Sequence, residues 1–88
     1  MANDPIYKDI GERLVCVRVG FSSLNKSEWA ARHTFNQSQY FSWEQGKRRI
    51  TVDEAQKLSD LYGLSLDWIY RGRVDGLSES ARKVLLSQ

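Results

Sequence analysis

Fifteen residues in the middle of the chain, FNQSQYFSWEQGKRR (35–49), set amides and hydroxyls among aromatic rings and end in three consecutive bases. Gln and Ser both donate and accept hydrogen bonds, Lys and Arg neutralise anions, and none of these groups breaks covalent bonds unaided. The chemistry such a segment offers is recognition. The charge distribution agrees. From Lys26 to Arg49 five bases (Lys26, Arg32, Lys47, Arg48, Arg49) face two acids (Glu28, Glu44), whereas the other residues carry eight bases and nine acids. A positive field confined to the middle third favours a polyanionic partner, although an ordinary solvated face would give the same count.

Rival chemistries find little support. Cys16 and His33 could be imagined as a thiolate–imidazole dyad, but no third orienting group is suggested and both occupy core-like positions. His33 is expected to be a core histidine with one hydrogen bond. One Cys and one His cannot make a disulfide or a structural metal centre, and the acids show no pairing beyond helix starts. No catalytic residue, metal, cofactor or small-molecule ligand is therefore expected.

At 88 residues, 41% apolar and 27% charged, the chain suits one small core and lacks an apolar run long enough to cross a bilayer. Its first residues, MANDPIYKDI, show no targeting pattern, so no membrane association and a cytoplasmic location are expected.

The elements that must position the polar segment read as helices. Ile6, Ile10, Leu14 and Val17 recur at helical spacing and predict a first helix to about Val19. LVCVRV within it also alternates like a strand, but no second strand exists to pair with it. Two starts of one design follow. Asn25 caps with Glu28 three residues on and Leu24 placed to staple to Trp29; Asn36 caps with Gln39 three on and Phe35 placed to staple to Tyr40. These starts lie eleven residues apart, leaving about seven residues of helix and a turn of about three around His33 to Phe35, the length of a helix-turn-helix connection. Thr34 departs from the glycine such a turn prefers. Thr51 and Glu54 start a fourth helix with a stripe of Val52, Ala55, Leu58 and Leu61 or Tyr62, stopped by Gly63. Ser65 to Gly72 bounds a fifth, with Leu66 and Ile69 inward and Trp68 partly so. From Ser78 a last helix is expected, with Ala81, Val84 and Leu85 on one side; it needs something to dock on.

On a helical wheel Tyr40 and Trp43 point inward, while Ser38, Phe41, Ser42 and Gln45 point outward with Gln37 and Gln39 at the margins. Short polar groups near a helix N-terminus suit the major groove, where Gln pairs with adenine and Ser with several bases. Phe41 suits a thymine methyl or, equally, packing against a neighbouring helix or a partner. Lys47, Arg48 and Arg49 would then neutralise phosphates beside the helix, with Lys26 on the other side.

GERL, LNKSEWAARHTFNQSQYFSWEQGKRR and DEAQKLSDLYGLSLDWIYRG together resemble the helix-turn-helix domain of the phage repressor, Cro and XRE-like regulators, over roughly residues 6–72. The resemblance implies an all-α, five-helix, lambda-repressor-like DNA-binding domain over residues 1–72, with 73–88 a C-terminal tail, either a short helix or a dimerisation segment. It places Gln37, Ser38 and Ser42 at base edges of double-stranded DNA, beside Phe41, and assigns phosphates to Lys26, Asn36, Gln39, Lys47 and Arg49, alongside Arg48. A bacterial or phage-encoded repressor acting as a homodimer is the implied role. His33 stands where the family has a buried leucine, Trp29 where it has a smaller aliphatic residue, and Val15 and Val19 where it has charge; FSSL is about one residue longer than the commonest turn. A second reading uses the same scaffold as a protein-interaction module, an antitoxin or phage-encoded adaptor, through Phe41 and the apolar side of the tail.

Overall fold

Capping groups written into the chain start five of the six helices among its described residues. The computed structural model describes residues 5–87; Met1 to Asp4, and with them part of the N-terminal stretch considered above, lie outside the described residues, as does Gln88. The helices are α1 (Lys8–Phe21), α2 (Lys26–Arg32), α3 (Gln37–Glu44), α4 (Val52–Tyr62), α5 (Leu66–Arg71) and α6 (Glu79–Leu86), with no strand among the described residues. LVCVRV is therefore helical, and the all-α expectation holds.

Asn25 and Glu28 form a complete capping box on α2, each side chain bonded to the other's backbone N–H. Asn36, Thr51, Ser65 and Ser78 each accept from the backbone N–H three residues on. Caps of this kind contribute about 1 kcal/mol each by satisfying donors that the first helical turn leaves open. Gly63 and Gly72 close α4 and α5.

α1 is the helix the others share: it packs on α3, α5 and α6, while α2 lies on α3 and α4 on α5. Leu14 and Val17 of α1 are buried with Trp29, Tyr40, Leu58 and Ile69. Gly11 permits the close approach of α1 to α3, since a Cβ there would lie 2.8 Å from the carbonyl oxygen of Trp43 and closer still to that of Glu44. Arg13 donates to the Ile69 carbonyl at 3.0 Å and so joins α1 to the last turn of α5. α6 docks on α1, and Leu77, Ala81 and Leu85 enter the same apolar core.

Four positions differ from the periodic reading. Ile6 is 88% exposed because the chain enters α1 through a turn whose Tyr7 N–H bonds to Gly46, leaving Ile6 before the helix. Val52 and Leu61, assigned to the buried stripe of α4, are mostly exposed; the buried face runs instead through Ala55, Leu58 and Ser59, with Tyr62 half-buried. Trp68, expected to be partly inward, is buried.

The departures in the second and third helices are absorbed by aromatic packing. Trp29 lies 4.2 Å from the His33 ring and stacks on Tyr62 at 5.4 Å; Phe35 stacks on His33 at 5.5 Å and on Tyr40 at 5.6 Å. His33 uses both ring nitrogens, not one. Because the Trp29 carbonyl only accepts, Nδ1 carries the proton toward it (2.8 Å), and Nε2 of the neutral ring accepts from the Tyr62 hydroxyl at 2.7 Å. Burial lowers the His33 pKa, and the charges of Arg32 and Lys57 lower it further against the raising effect of the Trp29 bond. Two buried polar atoms find no partner among the described residues: Trp29 Nε1 and Ser59 Oγ.

Candidate nucleic-acid interface

The helix-turn-helix connection closes by backbone geometry. After α2, Phe35 N–H bonds to the Ala30 carbonyl (2.9 Å) and Thr34 N–H to that of Ala31 (3.2 Å), the paired pattern of a Schellman turn. Such a turn needs one residue in the left-handed region, and here it is Thr34, at φ 58°. A β-branched residue is strained there. Lys57 holds the turn from α4, its ammonium donating to the His33 carbonyl (2.9 Å) and to Thr34 Oγ1 (3.2 Å).

α3 is fixed at its far end by α1. Arg18 donates through Nε and Nη2 to the two carboxylate oxygens of Glu44, at 2.8 and 3.2 Å, and through Nη1 to the Leu24 carbonyl at 3.0 Å. One guanidinium thus ties the end of α3 to the segment entering α2. The Tyr40 hydroxyl donates to the same Glu44 carboxylate, and burial together with that bond raises its pKa. Glu44 is only 4% exposed. Its charge is therefore neutralised beneath the surface and does not oppose an anion above it. The pair joins residues 26 apart, and no local signal announces it.

Gly46 then takes φ 77°, and a Cβ there would lie 2.7 Å from Lys8 Cα, so the turn after α3 fits tightly under the start of α1. The basic loop follows. Arg49 lies over the Tyr7 ring at 5.6 Å, and the Tyr70 hydroxyl anchors the loop through the Ile50 carbonyl at 2.6 Å.

The candidate residues fall largely on one side of this frame. Gln37, Ser38 and Gln39 are exposed on the first turn of α3, with Ser42 half-exposed one turn on. Asn36 Oδ1 is occupied by the Gln39 N–H, leaving its amide NH2 to donate outward. Lys47, Arg48 and Arg49 are exposed, and neither they nor Lys26 form an ion pair with another described residue. Phe41 is half-buried against the core with the Lys26 ammonium 5.5 Å over its ring, so it is less open than the wheel suggests. Two shallow depressions run beside the helix. One, of about 340 Å³, is lined by Ser38, Gln39, Ser42 and Arg48; the other, of about 350 Å³, by Tyr7, Gln39, Trp43, Lys47, Arg48, Arg49 and Thr51. A row of short polar groups at a helix N-terminus, bordered by unpaired cations and free of exposed acids on α3, can hydrogen-bond base edges and hold phosphates.

Comparison with known families places this geometry in a class. Residues 35–69, from the turn before α3 through most of α5, match the helix-turn-helix family model. The matched segment, which contains the whole of α3 and the basic loop, is similar to a DNA-binding regulator family of the Cro/C1-type, XRE-like kind. No curated protein and no solved structure matches the chain significantly. No helix among the described residues is long and apolar enough to cross a membrane.

Proposed function

We propose that this protein is a sequence-specific regulator of transcription that places α3 in the major groove of duplex DNA and represses as a homodimer on two half-sites about one helical turn apart. The observation that carries the reading is the outer face of α3, where Gln37, Ser38 and Ser42 stand free of acids beside Lys47, Arg48 and Arg49. Gln37, Ser38 and Ser42 meet base edges. Lys26, Asn36, Gln39, Lys47, Arg48 and Arg49 meet phosphates on either side, and Phe41 supports Lys26 while turning its exposed edge to the groove. The dimer forms through the end of α5 and the outer side of residues 73–88.

The interaction-module alternative drew on the apolar side of the tail. Ala81 and Leu85 are buried within this chain and Val84, like Phe41, is half-buried, which leaves that reading Phe41 and part of Val84. Salt dependence of duplex binding separates the two. Contacts from Lys26, Lys47, Arg48 and Arg49 predict a slope of log affinity against log salt of about −3 to −4 per protomer. A slope near zero would refute the DNA reading.

A further inference from the structure

Arg48 was expected on the flanking backbone with its neighbours, yet the fold treats the three bases differently. Arg49 is held over Tyr7, and Lys47 borders the depression on the Tyr7 side. The Ser42 carbonyl accepts the backbone N–H of both Lys47 (3.0 Å) and Arg48 (3.3 Å), folding the loop back on α3, and Arg48, which also borders the Tyr7-side depression, is the one of the three bases that lines the second depression with Ser38, Gln39 and Ser42. It is exposed and has no hydrogen bond or ion pair from its guanidinium among the described residues. The two serines, one turn apart, are small enough to leave room for a long side chain beside the face that meets the bases.

The hydrogen-bonding capacities of this cluster are complementary. Ser42 Oγ donates its proton to the Ser38 carbonyl at 3.1 Å, so outward it can only accept. A guanidinium can only donate, through a fork of N–H groups. A donor-only fork beside an acceptor-only hydroxyl matches the major-groove edge of one G·C pair, where guanine presents the acceptors N7 and O6 and cytosine presents the N4 amino donor. An A·T pair offers no such combination, because the adenine edge sets a donor where the fork would need its second acceptor.

We propose that Arg48 is a specificity-determining residue that, with Ser42, reads one G·C pair in each half-site. This rests on the DNA-binding reading above, and it replaces the phosphate role for Arg48 alone. The test is binding of wild type, Arg48→Ala, Arg48→Lys and Ser42→Ala to a selected duplex and to duplexes changed at each base pair in turn. At one G·C position per half-site, Arg48→Ala should lose about tenfold in affinity for the selected duplex and should bind the changed duplex as well as wild type does. Arg48→Lys should restore general affinity and only part of the preference, since an ammonium lacks the planar fork; Ser42→Ala should weaken preference at that same pair. The proposal is overturned if Arg48→Ala weakens every duplex equally, lowers the salt slope by about one and keeps the preference, the behaviour of a phosphate contact. Failure of the wild type to bind any duplex would overturn the underlying reading as well, and that outcome is distinguishable from the first.

Discussion

Replacing Arg18 by Met keeps most of the side-chain stem but removes three hydrogen bonds: two to Glu44 and one to the Leu24 carbonyl. The Glu44 side chain, 4% exposed in the intact pair, would keep the Tyr40 hydroxyl as its remaining donor. Removing one partner of a buried pair costs roughly 3–5 kcal/mol, because the surviving charge stays desolvated. Arg18 is itself 15% exposed, and water can reach its side of the pair, so the low end, about 3 kcal/mol, is expected. For a domain of this size that lowers Tm by about 12–24 °C. Urea unfolding followed by tryptophan fluorescence measures it. Glu44→Gln should cost less, since the guanidinium left behind can hydrate, and the double variant should cost less than the sum of the two. A loss under about 1 kcal/mol for Arg18→Met, the value of an exposed pair, would refute the claim that this contact fixes α3.

The other stability predictions concern single contacts. Gly11→Ala should destabilise by about 1–2 kcal/mol in urea, because overpacking against the end of α3 outweighs the better helix propensity of alanine; a stabilised variant would show that the α1–α3 approach is looser than described. Ser59→Ala should be neutral or stabilise by about 1 kcal/mol, since the buried hydroxyl has no partner to lose; a clear loss of stability would reveal one. His33 should titrate below 6.5 by NMR. Its folded pKa is lowered, so above the unfolded value of about 6.5 the ring is neutral in both states and costs nothing. As pH falls below that value the unfolded chain takes up the proton first, and stability declines until the folded ring titrates too. A midpoint at or above 6.5 would contradict the buried neutral ring.

What the sequence disclosed was mostly what is decided within a few residues. Asn25, Asn36, Thr51 and Ser65 could be placed as caps, and a helix expected from Ser78, because a side chain bonding three residues on is a local event. The turn at Thr34 was legible as a departure for the same reason, and the structure shows its left-handed φ. Val52 and Leu61 misled because periodicity defines a face only to within a residue or so, and the packing of α4 on α5 decides which edge is covered. The Arg18–Glu44 pair and the bond of Arg13 to Ile69 span 26 and 56 residues, distances over which spacing carries no signal. The second hydrogen bond of His33 was hidden likewise, since Tyr62 arrives from another helix. At the candidate interface the polar row on α3 was visible in residue types, whereas the separate surroundings of Arg48 and Arg49 depend on how the loop folds back.

The central claim, that the outer face of α3 reads duplex DNA, is tested most directly by selecting bound duplexes from a random library with wild type and Gln37→Ala in parallel. The expected result is a recovered site with two related halves, and a preference relaxed by the variant at one base pair in each half, at a cost of about 1–3 kcal/mol there. Recovery of no sequence above background at low salt, or an identical site from both proteins, would contradict it.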